Sequence, residues 1–281
     1  MNLHNIINEI EKADPEVYGR LDSRRAAVKK LTSFTGKVAL SAVPIAFGSL
    51  LKKAYGQSVS PQIIEVLNFA LTLEYLEAEF YSRGLERGGL ITNDVDRAAL
   101  ETIRMHEQQH VTFLQTTIKS LGGMPVAMPT FDFTAKGTFP DVFKNYQIFL
   151  AVAQVFEDTG VRAYKGQAGN LMSNDEILRA ALRIHSVEGR HASHIREMRN
   201  RNFKAPVQPW ITLNQSGIEG LSAAAAAAVQ PSYNGEELVV QAGINIVGIN
   251  GFDISAEDAS EAFDEPLTKM QVLAIVKPFI V

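Results

Sequence analysis

The chain has 281 residues, 27 Lys and Arg against 31 Asp and Glu for a formal net charge of −4, and no cysteine. That length holds one sizeable core plus appendages. The near-balanced charge offers no basic surface for nucleic acid, and the lack of thiols excludes disulfides and argues against soft-metal or structural zinc sites.

Residues 1–57 carry paired Arg24 and Arg25, then the mostly apolar run Val38 to Leu51, then Lys52 and Lys53 before Ala54, Tyr55 and Gly56. Paired arginines, a modest apolar stretch interrupted by Ser41, Pro44 and Gly48, and a basic end resemble a twin-arginine export signal. On this reading the protein is exported to the periplasm and the twin-arginine machinery is a partner. The competing reading is a cytoplasmic protein whose N-terminal helix packs on the rest of the chain or on a partner subunit. As a helix the apolar run is too short to span a bilayer.

Residues 58–204 read as an all-α four-helix bundle. Helix one starts near Pro61, a good first-turn residue after Ser60, and ends near Arg87 before Gly88 and Gly89. Helix two runs from about Asn93 to Leu121 and stops at Gly122 and Gly123. Residues 122–140, rich in proline and glycine, are too long for a tight turn and suited to one long crossover along the bundle. Helix three is expected from about Asp141 to Gly169, and helix four from a capping box at Ser173-x-x-Glu176 to about Asn202. Each helix shows an apolar seam at spacings of three and four, such as Leu100, Ile103, Leu114 and Leu121 in the second. The third seam is read from Phe143 through Leu150 and Ala153 to Ala168.

The seams are interrupted by one pattern that occurs twice: Glu74, Tyr81 and Glu107-x-x-His110, then Glu157, Tyr164 and Glu188-x-x-His191. In each copy the Tyr follows the first Glu by 7 positions, and the second Glu follows the first by 33 and by 31. Positions i and i+3 share a helix face, so each Glu-x-x-His pair can offer an oxygen and a nitrogen to one point. Glu74 and Glu157 then close the coordination from the other two helices. Two lone glutamates and two such pairs are the ligand set of a carboxylate-bridged two-metal site inside a bundle. Four carboxylates balance two divalent cations, and mixed carboxylate and imidazole donors suit iron or manganese. The plainer reading is a buried salt-bridge network, but no Arg or Lys lies in the four seams to neutralise the acids.

Neighbouring residues read less sharply. Glu77, one turn from Glu74, is a further ligand-side carboxylate or a solvated acid. His185 and His194 flank the second pair at a spacing of three. His106, beside Glu107, points about 100° away and is not read as a ligand. Tyr81 is the candidate catalytic tyrosine, with helix packing as its alternative; for Tyr164 packing is the favoured reading. Residues 205–281 contain the helix-prone run Ala223 to Ala228, an apolar glycine-broken stretch from Leu238 to Ile249 that is a packed loop or short strand, and helix starts at Ser255 and Pro266. Trp210 reads as an anchor for this tail, which should dock on the bundle or on a neighbouring subunit.

The duplicated arrangement resembles the ferritin-like superfamily, and the run Asn68 to Tyr81 (NFALTLEYLEAEFY) is similar to the ferritin-like domain family that includes desiccation-related proteins. The resemblance covers roughly residues 60 to 204. It implies a ferritin-like bundle with one long crossover, flanked here by an N-terminal extension (1–57) and a C-terminal one (205–281). It makes Glu74 and Glu157 terminal ligands, Glu107 and Glu188 bridging ligands, and His110 and His191 the histidine ligands. Tyr81 corresponds to the near-site tyrosine of ferritins. The cofactor expected is two iron ions, with manganese as the alternative. The partners expected are the metal ions with dioxygen or peroxide, and a homo-oligomer. The activity expected is that of a di-iron oxidoreductase, ferroxidase or peroxidase-like, with a role in oxidative stress. The alternatives are peroxide dismutation by a dimanganese centre and a non-catalytic stress-protective bundle. With no cysteine, a rubredoxin-type iron centre is excluded.

Overall fold

Four side-chain-capped helices are laid down between Pro61 and Phe203 in the computed structural model, which describes residues 60–218 and 221–281. The export signal and helix readings for residues 1–57 fall outside the described residues. Helix α1 (Pro61–Glu86) starts where the Ser60 hydroxyl accepts from the Ile63 amide, with Pro61 in the first turn. Helix α2 (Asp94–Ser120) is capped by Asn93, whose side chain accepts from Val95 and Asp96. Helix α3 (Tyr146–Ala168) continues into a 3-10 turn at Gly169–Leu171, and α4 (Asp175–Phe203) ends at Lys204 in the left-handed region. Helix α1 pairs mainly with α2 and α3 with α4, so two helical hairpins face each other across the core. No described helix is long and apolar enough to cross a membrane.

Two expected helix starts in the bundle move, and in the tail the start read at Pro266 falls at Lys269, capped by Thr268. Helix three was read from Asp141, but residues 141–145 form a turn in which Lys144 and Asn145 donate to the Asp141 carbonyl. Asn145 is extended (φ −123°) and its side chain caps Gln147 and Ile148, so the helix cannot begin earlier. Phe143, assigned to the third seam, therefore belongs to the crossover, where its ring packs 5.6 Å from Phe80. At helix four the cap is Asn174, accepting from the Ile177 amide at 3.1 Å, and not the Ser173 and Glu176 box.

The long crossover reaches α3 through buried Phe131, Phe133 and Phe139. Phe133 joins a cluster with Phe80 (5.3 Å) and Phe156 (6.3 Å), and Phe80 stacks on Phe149 at 4.7 Å. The chain end holds the crossover in place: the Asp132 amide donates to the Phe279 carbonyl and the Val281 amide to Thr130.

The C-terminal extension contains the short helices α5 (Ala223–Val229), α6 (Ala256–Glu261) and α7 (Lys269–Val276). The Leu238 to Ile249 stretch is a small exposed hairpin of two-residue strands, β1 (Val240–Gln241) and β2 (Ile244–Asn245). The tail docks on α3. Leu267, Val272, Val276 and Phe279 are buried. Gly166 is required there, because a Cβ would sit 1.9 Å from the Leu267 carbonyl oxygen. Trp210 is not a buried anchor. The residue is 48% exposed, and its carbonyl accepts from Arg196 at 3.2 Å.

Candidate metal centre

Each helix of the bundle turns carboxylates toward the same interior point because they stand on its core-facing seam. Glu74 on α1, Glu107 on α2, Glu157 on α3 and Glu188 on α4 are all fully buried, as very nearly are His110 and His191. Their donor atoms fall into two sets: Glu74, Glu107, His110 and Glu188, and Glu107, Glu157, Glu188 and His191. Within each set the atoms lie within 4.8 Å of one another. Glu107 and Glu188 belong to both sets, so the six side chains form two adjoining four-residue sites with two shared carboxylates.

The distances repeat the duplication seen in the sequence. His110 Nδ1 lies 3.0 Å from Glu74 Oε2, 3.1 Å from Glu107 Oε2 and 3.1 Å from Glu188 Oε1. His191 Nδ1 lies 2.7 Å from Glu107 Oε1 and 3.4 Å from Glu157 Oε2. The tyrosines cross over between the halves. Tyr81 donates to Glu157 Oε1 at 2.5 Å, and Tyr164 donates to Glu74 Oε1. Each terminal glutamate thus has one oxygen held by a tyrosine and the other turned into the site. Tyr164, read as a packing residue, stands in the same relation to its carboxylate as Tyr81 does.

The donor set fits metal. Glu107 Oε1, Glu157 Oε2, both Glu188 carboxylate oxygens and His191 Nδ1 are buried and close to one another, yet none of them makes an aligned hydrogen bond. An unsatisfied buried polar atom costs about 1–3 kcal/mol, more when charged. Five of them aimed at one interior point are satisfied together by cations. Burial raises the Glu74 carboxyl to about 8, with neighbouring carboxylates adding to the effect and His110 opposing it. Burial likewise lifts Glu157 well above the carboxylate range. Burial opposes the charged forms of Glu107 and Glu188 too, but contact with the two histidines outweighs it and lowers both. Against burial, Glu157 and its neighbours raise His191 to about 12. Without cations the cluster therefore keeps protons on its histidines and on part of its carboxylates, and a bound metal displaces them.

The remaining residues sort by contact. Glu77 is buried and its carboxyl faces Gly160, where a Cβ would stand 3.2 Å from Glu77 Oε1 and 3.7 Å from Glu188 Oε2. A glycine at this point of α3 lets a fifth carboxyl approach the centre. Burial, then Glu188, drives its pKa well above the usual range. His185 bonds the Val161 carbonyl and His194 is a surface residue near Glu197, so neither reaches the ligand cluster. His106 is outside both donor sets, but its Nδ1 lies 3.0 Å from His191 Nε2. It supports His191 on the nitrogen opposite the one that faces the carboxylates. Sequence reasoning missed this role; the available signal was that a ligating histidine needs a partner for its second nitrogen.

Residues 62–201 match the family model described as the ferritin-like domain. Neither the comparison with curated proteins nor that with solved structures found a match. The four-helix unit, with a buried di-metal carboxylate and histidine site at its centre, is a member of the ferritin-like family.

Proposed function

We propose that the centre holds two iron ions and that the protein is an oxidoreductase, oxidising Fe(II) while reducing dioxygen or peroxide. The observation that carries this reading is the pair of four-residue donor sets sharing Glu107 and Glu188. Glu74 and His110 would serve one ion, Glu157 and His191 the other, and Glu107 and Glu188 would be shared between them. Iron bound there supplies one-electron redox chemistry toward an oxygen species.

The chain's own part is to hold that pair dry and oriented. The four carboxylates are shut away from water, which strengthens every charge interaction inside the site. Tyr81 and Tyr164 fix the terminal carboxylates by donating to their Oε1 atoms, so each Oε2 is presented inward. Tyr81 is placed to act through Glu157, as a positioning residue beside the reacting centre. Glu77, buried beside Gly160 and close to Glu188, holds a further carboxyl group against the donor cluster.

Elemental analysis of the purified protein tests the reading. Two iron ions per chain are expected, and Glu107→Ala with Glu188→Ala should abolish tight binding of both. Unchanged stoichiometry in that double variant would refute the ligand assignment. Two manganese ions, with oxygen evolved from peroxide, would replace iron oxidation by dismutation.

A further inference from the structure

One helical turn from the ligands, on the side of Ala70, Leu114 and Ile184, the four helices leave an apolar cavity. Its lining is hydrocarbon except for Thr117, Tyr164 and Gln167. Tyr164 is the wall nearest the metal centre, since its ring faces the cavity and its hydroxyl is bonded to Glu74. The space left for the centre of a water-sized molecule is about 20 Å³. A dry cavity of that size takes one very small apolar molecule and no organic substrate.

Outside it lies a wider space of about 310 Å³, bordered by Glu65 on α1, Gly166 on α3, Asn170, and Lys269 on α7. Val66 and Gln167 line both spaces, so two nearly buried side chains form the partition between them. The C-terminal extension makes the rim of the outer space. Lys269 pairs with Glu65 at 2.5 Å, and the Leu267 carbonyl packs on Gly166.

We infer that the two spaces are the entry route and holding site for dioxygen on its way to the metal centre, a proposal that rests on the oxidoreductase reading above. Dioxygen makes no hydrogen bonds that it must give up and partitions into hydrocarbon. Peroxide would lose its hydrogen bonds to water in a cavity that offers it few polar groups. The cavity therefore favours dioxygen over peroxide as the oxidant arriving by this path, and the C-terminal extension becomes part of the access to the site.

Crystals of the full chain under xenon pressure test the cavity with no metal chemistry involved. Xenon should bind beside Tyr164, and its absence there at saturating pressure overturns the proposal. Ala180→Leu fills the same space. In this variant xenon should be excluded and two-metal stoichiometry kept, while Fe(II) oxidation at sub-saturating dioxygen slows several-fold and oxidation by added peroxide is unchanged. A native dioxygen rate with xenon excluded removes the route alone. A loaded native protein inert to both oxidants removes the proposed function, and the route with it.

Discussion

Each terminal carboxylate of the centre is held by the tyrosine of the other sequence half, Tyr81 on Glu157 and Tyr164 on Glu74. Removing either hydroxyl frees a ligand carboxylate to rotate and leaves its Oε1 unpaired. Loss of such a partner typically costs about 10–100-fold in metal affinity. Tyr81→Phe and Tyr164→Phe should therefore weaken binding to a similar degree, each chiefly for the ion served by its own glutamate. Titration calorimetry on the two variants measures this, and native affinity in both would leave the tyrosines a packing role only. The protonation state gives a second test. Glu74 has its pKa raised to about 8 in the folded, metal-free protein, above its ordinary 4.5. The stability tied to that proton is complete below the ordinary value and is lost as pH rises through the folded one. Glu236, raised to about 7 by burial, loses its share over the same range whether or not metal is bound. Between pH 6 and pH 9 the Tm of metal-free protein should thus fall more than that of loaded protein, in which cations replace the protons. Parallel Tm curves for the two forms would sink this account of the site. The clustering of the six side chains was legible because the pattern occurs twice at helix spacing; the contact of His106 was not, because it depends on a neighbouring helix.

At the scale of elements, α3 shows what a seam can and cannot reveal. One face carries Glu157 and Tyr164, but residues Phe149 to Tyr164 are buried all round. The second face carries Gln154, Asp158 and Arg162, which meet the tail and α4. Arg196 on α4 pairs with Asp158 through two contacts, 3.0 Å from Nε and 2.5 Å from Nη2, and Tyr233 from the tail donates to the same carboxylate at 2.8 Å. Arg162 donates to the carbonyls of Ser232, Asn234 and Glu265. Breaking a buried pair by removing one partner costs about 3–5 kcal/mol. Arg196→Ala should lower stability by that amount in urea unfolding and open the segment after residue 204 to proteases, with metal stoichiometry kept. Unaltered stability would mean that the tail is held by its apolar contacts alone. Helix ends marked by glycine pairs or by Ser60 and Pro61 were legible. The start of α3 was not, because Asp141 and Asn145 are both good caps and tertiary packing of Phe139 and Val142 decides between them.

For the whole molecule, the tail closes the bundle, and almost none of that closure could be read from local pattern. Arg162 finds its partners 70 and 103 residues downstream, and a single sequence carries no periodic signal for contacts of that range. Phe279 sets its ring 4.9 Å from Phe156, Val276 lies against the same part of α3, and the last residues pair with the crossover. Truncation after Lys204 would expose the apolar outer face of α3 to water and strip Arg162 and Arg199 of the tail carbonyls they bond. Total domain stability is only about 5–15 kcal/mol, and one buried large apolar side chain accounts for about 1.5–3 of it. Uncovering Phe156 and losing the buried tail side chains Leu267, Val272, Val276 and Phe279, together with the Arg contacts, is enough to remove most of that margin. The truncated chain should therefore aggregate or melt at far lower temperature than the full chain, and should lose its metal in the same step because Glu157 on α3 loses its alignment. Thermal unfolding followed together with metal release measures both. A truncated protein that melts near the native temperature with two ions still bound would show the bundle to be self-sufficient and the tail an accessory to access alone.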